Sequence, residues 1–314
     1  MTEKAPVILR LQDVYKSYYD HSEKRDRRIL NDIDLRVRKG EFVTLLGPSG
    51  CGKSTLLRLI LGSEQPTSGA VMIDGTLVKG PSRDRGIVYQ KYSLFPHLTV
   101  MENVIFGLEV EEFGLVSRHF RRAALAKHRR GTKERAQEML NRMALGNDGN
   151  KYPHELSGGM RQRVAIAQAM IMEPKILLMD EPFGALDDST RTDMQLFLLE
   201  VWERTNMTVF FVTHDLVEAC FLGTRLLVLS QYYNTAEAHH EGSKIVTDRS
   251  IPGGHPKPTT FKNSPELAAL LDIVRRSGLN PEFAQHIHDF DLSHADAYRS
   301  VSAEEWGSEQ AYES

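Results

Sequence analysis

Residues 41–61 read EFVTLLGPSGCGKSTLLRLIL, and this stretch decides the fold. Residues 41–46 have the length and apolar content of a short buried strand. Gly47, Pro48, Ser49, Gly50, Cys51, Gly52, Lys53, Ser54 and Thr55 then fit GxxxxGK[ST] without exception, and 56–61 continue as an apolar helix. A glycine-rich loop between a strand and a helix is a phosphate loop. Its glycines let backbone N–H groups converge on phosphate oxygens, and the helix directs its positive N-terminus at them. Lys53 is expected to reach the β- and γ-phosphates, and the Ser54 hydroxyl to bind Mg2+. Cys51 reads as packing or backbone filler. Beside Lys53 and a helix N-terminus, a thiol of lowered pKa is the alternative.

On either side of this loop the pattern stays α/β. Residues 7–14 and 33–37 alternate apolar and polar side chains, which suits strands with one wet face. Short strands are expected at 70–73 and 87–89, and buried ones at 176–179 and 208–212. Met194, Phe197, Leu198 and Val201 fall at i, i+3, i+4 and i+7, one face of a helix. Strands alternating with helices imply a parallel sheet. From Gln90 to Met172 the pattern is mainly helical, as in an inserted subdomain. After about Tyr232 it loosens. Pro265 to Ser277 offers a helix with Leu267, Leu270, Leu271 and Val274 on one face. Residues 281–314 are polar, with an end compatible with disorder.

The bulk numbers narrow the function. A chain of 314 residues can hold a large core and an appendage. Hydrophobic content of 41% and charged content of 26% are those of a soluble globular protein. A net charge of −3 supplies no field to attract nucleic acid, so none is expected as a partner. Cys51 and Cys220 cannot form a disulfide framework and fit a reducing cytosol. The start, MTEKAPVILRLQ, has no apolar signal region. The longest apolar runs are strand-sized, far below the roughly 20 residues that span a bilayer. Any membrane part must come from separate subunits.

Two further motifs say how a nucleotide is used. Asp180 and Glu181 follow the apolar run 176–179 and precede Pro182. Carboxylates at the C-terminal edge of a parallel sheet face the crevice where ligands bind. Asp180 suits Mg2+, and Glu181 suits a base that orients and deprotonates the attacking water. Just upstream, residues 156–163 read LSGGMRQR. Ser157, Gly158 and Gly159 open a helix and form a second anion site at its N-terminus. Serine is also a common N-cap, and the two roles use the same donors. Two phosphate clamps in one chain suggest that two copies meet before ATP is hydrolysed. His214 follows Thr213 at the end of the strand 208–212, again at the ligand edge.

In this order, over roughly residues 7–230, the motifs resemble those of the ATP-binding subunits of ATP-binding-cassette (ABC) transporters. GPSGCGKST resembles the family's Walker A, ILLMDEP its Walker B and LSGGMRQR its signature. Gln90 in IVYQ resembles the Q-loop, GALD the D-loop, and His214 in VTHD the switch histidine. Tyr18 in VYKSYY stands where an aromatic residue stacks on adenine, with Tyr15 and Tyr19 close by. The resemblance implies a P-loop NTPase of the ABC type at 1–232, with a helical subdomain at about 91–172. A small, mostly helical C-terminal extension follows at 233–314. It implies ATP and Mg2+ as ligands and a homodimer, or a pair with another ATPase subunit, that sandwiches ATP. The phosphate loop, Gln90, Asp180, Glu181 and His214 of one copy would face Ser157, Gly158 and Gly159 of the other. Glu181, His214, Gln90 and Lys53 would be catalytic. Ser54, Gln90 and Asp180 would hold the metal, and Asp187 would couple the two sites.

The wording of YPHELSGGMRQRVAIAQAM and MDEPFGALDDSTR most resembles the nitrate, sulfonate and taurine importer group. The resemblance implies transmembrane permease subunits, contacted through about Gln90 to Gly107, where Tyr92, Leu94, Phe95 and Leu98 would wall an apolar groove for a short helix. It also implies a solute-binding protein in the same system and a peripheral place on the cytoplasmic face of the inner membrane. The alternative is the motor of an exporter or lipid-handling transporter, with the same chemistry. A DNA-repair ATPase would need coiled-coil arms, and a translation factor usually carries two cassettes; neither is present. A module that binds ATP without turnover is disfavoured by intact Glu181 and His214. Two segments depart from the group. Residues 115–135 read as a basic insertion, with Arg118, Arg121, Arg122, Lys127, Arg129, Arg130, Lys133 and Arg135. They form either a solvated helix face or a contact for anionic lipid or an acidic partner loop. The extension is longer than a minimal cassette needs, and its His239, His240, His286 and His288 show no metal spacing.

Overall fold

The computed structural model describes residues 5–90, 93–117, 122–235, 241–253, 256–276 and 278–298, without the side chains of 112–130. In chain order the strands and helices are β1 (Val7–Asp20), β2 (Arg25–Arg38), β3 (Phe42–Leu46), α1 (Lys53–Leu61), β4 (Ser68–Ile73), β5 (Thr76–Leu77) and β6 (Arg85–Tyr89). Then come α2 (Val100–Ser117), α3 (Arg122–Arg142), α4 (Gly158–Met170), β7 (Ile176–Asp180), α5 (Asp188–Thr205) and β8 (Thr208–Val212). The chain ends with α6 (Leu216–Leu222), β9 (Arg225–Ser230), β10 (Tyr233–Asn234), β11 (Lys244–Ser250), α7 (Pro265–Arg275) and β12 (Gln285–His286). Tyr92, His239, His240, Ser277, residues 299–314 and the basic side chains between 118 and 130 lie outside the described residues. No described helix is long and apolar enough to cross a membrane.

The chain divides into two units, Met1–Ser82 with Leu199–Ser314, and Arg83–Leu198. In the first unit β3 is the hinge of the architecture. It pairs in parallel with β8 through Phe42↔Val209 to Leu45↔Val212 and with β9 through Val43↔Arg225 to Leu46↔Val228. All five residues of β3 and of β8 are buried, and apart from Thr44 and Thr208 all are apolar, as in a parallel strand covered on both faces. An antiparallel sheet of order β2-β1-β4-β5 belongs to the same unit. β1 and β2 run past the alternating segments expected from sequence, pairing as far as Asp20↔Arg25.

The extension does more than follow the last ATPase strand. β11 pairs antiparallel with β9, from Lys244↔Ser230 to Ser250↔Arg225. Arg225, 1% exposed, is held bidentate by Asp248 at 2.7 and 2.6 Å and by Glu41 at 3.1 Å. Leu267, Leu270 and Val274, on one face of α7, share a core with Leu46, Ala219, Cys220, Leu226 and Val228. The side chain of Ser264 caps α7 by accepting from Leu267 N at 3.1 Å. Described residues after 232 thus hold one α-helix, short 3-10 turns, the two-residue strands β10 and β12, and the longer strand β11, which no pattern in the sequence marks.

In the second unit β6 and β7 pair in parallel, from Arg85↔Ile176 to Tyr89↔Asp180. α4 packs on β6 and on α2 and α3. The second half of α3 buries Thr132, Ala136 and Leu140, one residue per turn.

Candidate active site

Each unit carries its own group of the expected residues. In the first, the phosphate loop leaves the C-terminal end of β3. Gly47 has no room for a side chain: a Cβ there would stand 2.2 Å from Leu229 O and 2.7 Å from Cys51 Sγ. Gly52, in the left-handed region at φ 100°, is the N-cap of α1. Lys53 Nζ donates to Gly47 O at 2.8 Å and Pro48 O at 3.0 Å, so the ammonium stands over the loop. Ser54 is exposed on the first turn of α1, and Thr55 is buried. Cys51 is 1% exposed, and burial pushes its thiol up despite Lys53. That fits the filler reading and not a reactive thiol.

His214 lies beside the loop's strand, because β8 pairs with β3 and Thr213 N donates to Leu45 O at 3.3 Å. Its backbone is clamped by groups the sequence reading did not single out. Thr213 Oγ1 donates to the buried Glu218 carboxylate at 2.6 Å and accepts from Asp215 N at 3.0 Å. Asp215 caps α6 by accepting from Glu218 N at 3.0 Å. The D-x-x-E spacing of Asp215 and Glu218 is an N-terminal helix signature and was there to be read. Tyr18 is 36% exposed and donates to Glu64. Lys16 Nζ lies 4.8 Å from its ring centroid. Burial, then the hydrogen bond to Glu64, hold the phenol above its ordinary pKa.

In the second unit Gln90 and Glu181 directly follow the paired residues Tyr89 and Asp180, so both leave the same edge of the β6–β7 ladder. Glu181 adopts φ 47°. A non-glycine residue in the left-handed region is strained, and such strain clusters at functional sites. Ser157 caps α4, accepting from Met160 N at 3.3 Å, and stays exposed. Gly158 opens that helix. Gly159 is buried, and a Cβ there would meet Thr190 Cγ2 at 2.7 Å. Asp187 caps α5 by accepting from Thr190 N at 3.0 Å, which holds its carboxyl below the usual range. Ahead of α2, Thr99 and Glu102 form a capping box at 2.9 and 3.3 Å. Buried Asn103 ties down the preceding loop through Phe95 N, Phe95 O and Leu98 O.

Residues 30–184 match the family model described as ABC transporter. The chain is 42% identical to a nitrate import ATP-binding protein of Synechocystis over 77% of this chain and 87% of that one. This chain belongs to the ABC transporter ATP-binding family. A taurine import ATP-binding protein of Burkholderia pseudomallei is 45% identical over 67% of this chain and 76% of its own. Among solved structures, a dimeric ATP-binding cassette in a post-hydrolysis state, bound to ADP and phosphate, superposes with a TM-score of 0.62. It shares 31% identity and is covered completely by 79% of this chain. The ABC subunit described here is an ATP-binding ATPase with a mixed α/β fold of the P-loop NTPase type.

Proposed function

We propose that this chain drives an importer of small solutes of the nitrate, sulfonate or taurine type. The observation that carries this reading is the likeness to import subunits over most of the chain. We further propose that ATP is sandwiched between two copies, in support of which the structural neighbour is a dimer with ADP and phosphate. In this proposal residues 1–232 form the ATPase region and 233–314 an added segment. Adenine stacks on the face of Tyr18 away from Lys16. The phosphate loop amides and Lys53 hold the phosphates. Ser157, Gly158 and Gly159 of the second copy present helix N-terminal amides to the γ-phosphate.

Ser54, Gln90 and Asp180 offer a hydroxyl, an amide carbonyl and a carboxylate, all hard oxygen donors that fit Mg2+. When bound, the ion neutralises charge on the β- and γ-phosphate oxygens. Gln90 orients the attacking water, and Glu181 accepts its proton at a carboxylate oxygen. His214 hydrogen-bonds the γ-phosphate and so reports its presence. Asp187 couples one site to the other. Replacing Lys53 by alanine removes charged hydrogen bonds of about 1.5–3 kcal/mol, roughly a 10–150-fold loss of ATP affinity. Unchanged binding of a fluorescent ATP analogue would remove Lys53 from the phosphate site.

The permease contact is part of the same proposal. Leu98, Met101, Ile105 and Phe106 help line a cavity of about 220 Å³ beside the loop that Asn103 holds. Phe95 packs on Phe106 with ring centroids 4.5 Å apart. Thr99, Glu102, Glu109, Lys133 and Asn150 complete the lining, and a wall of this mixed character suits a short amphipathic helix of a membrane subunit. The chain would then sit peripherally on the cytoplasmic face of the inner membrane, in a system with a solute-binding protein. Purification from membranes through a tag on this chain should bring down a permease whose gene neighbours encode a solute-binding protein. A permease of exporter type in that complex would overturn the importer reading.

A further inference from the structure

We propose that the arginine-lined rim of the phosphate loop pairs with the partner's Asp188 when two copies close on ATP. The inference rests on the sandwich reading above. Arg25, Arg27, Arg28, Gly50, Gln231 and Glu241 help line a cavity of about 210 Å³ at the start of β2. Gly50 has φ 78°, and no atom lies within 4 Å of where its Cβ would stand, so the loop side of this rim is open. Three arginines face one acid, and that acid is engaged: Arg25 pairs with Glu241 and with Glu23. Arg28 meets Asn31 Oδ1 at 3.2 Å and the Tyr15 ring at 5.4 Å, and it shares the Glu241 carboxylate with Arg25. Arg27 is exposed on the strand edge. The cavity lining therefore holds three cations to one carboxylate next to the nucleotide loop, with Glu23 and Asp20 set outside it beside Arg25 and Arg27.

The complementary charge rides on the signature. Gly159 packs on Thr190 so closely that a Cβ would come within 2.7 Å of it. Thr190 is the residue whose amide Asp187 caps. The first turn of α5 is thus fixed to the turn that presents Ser157–Gly159. Whatever carries that turn onto a second copy's phosphate loop carries Asp187 and Asp188 with it. Asp187 is committed to its cap. Among the described residues the Asp188 carboxylate pairs with Arg191, at 3.0 Å and three residues on, and its side chain is 97% exposed. Exposed pairs of this kind are weak and exchange readily. Opposed charges across an interface set register and speed encounter, and they make closure salt-sensitive.

A charge swap tests the pairing in the Glu181→Gln background, with the ATP-dependent dimer measured by analytical ultracentrifugation. Arg27→Glu with Arg28→Glu should weaken the dimer about tenfold, and more at low salt than at high. Asp188→Arg should do the same, and all three changes together should restore the dimer to within about threefold of the parent. Arg27→Glu alone, on an exposed side chain, guards against misfolding and should give part of the loss. An unchanged dimer, or a triple variant weaker than either arm, overturns the proposal. Binding of a fluorescent ATP analogue to the monomer should be unaffected; a parallel loss would make the arginines nucleotide ligands and also overturn it. If the Glu181→Gln parent forms no ATP-dependent dimer, the sandwich reading falls first and this inference with it.

Discussion

Glu181→Gln should abolish ATP turnover while leaving ATP bound, so that the variant accumulates as a dimer in the presence of MgATP. The substitution keeps size and hydrogen bonding but removes the carboxylate's charge and basicity, without which no proton is accepted from water. Loss of a positioned base costs roughly 10²–10⁴ in rate. Glu181 is held at φ 47°, directly after the last residue of β7. Its position is therefore set by the backbone and survives the change of side chain. Lys53 and the phosphate loop are untouched, so binding and hydrolysis separate. Phosphate release and size-exclusion chromatography check the two halves of this expectation. A variant that turned over at the parent rate would remove Glu181 from the role of base.

Truncation after Tyr232 should yield insoluble protein, not a smaller working ATPase. Tyr233, Val246, Ile251, Leu267, Leu270, Val274, Ile287 and Phe290 all lie buried in the core that also holds Leu46, Leu226 and Val228. Burying one such side chain is worth about 1.5–3 kcal/mol, and a whole domain is stable by only about 5–15 kcal/mol. Removing β11 also opens the edge of β9, a row of six buried residues, to pairing with other chains. Arg225 would lose its bidentate partner Asp248. Soluble yield and the thermal unfolding midpoint of residues 1–232 measure the effect. A soluble fragment that melts with the full chain would show that the shared core is dispensable.

The parts legible in sequence were those where one physical demand dominates. β3, β7 and β8 are short runs of buried apolar residues, and their turns carry glycine or acids for phosphate and metal chemistry. β11 was not legible, because apart from Val246 its buried side chains are polar or charged. Lys244, Thr247 and Asp248 are buried at 2%, 0% and 2%, with Lys244 paired to Asp32 and Asp248 to Arg225. Partners so far away in sequence leave no periodicity in the segment itself. The ends of β1 and β2 were hidden for a different reason: residues 15–20 are half-buried or exposed and 25–28 are all exposed, so no alternation marks them. In the site, the motif residues stood out by spacing. The groups that aim them, Glu64 at Tyr18 and Asn103 at the Phe95 loop, are single polar residues whose meaning comes only from contact.

The strand that launches the phosphate loop finds its neighbours late. Gly40, just ahead of β3, meets Thr208 only 168 residues further on, and β9 and β11 follow later still. On a ribosome adding about 5–20 residues per second, Phe42–Leu46 waits roughly 10–30 seconds as a bare apolar ribbon before its ladder can form. Newborn chains should therefore lean on holding chaperones until the last third is made, and a stall in translation before β8 should send them to aggregation or proteolysis.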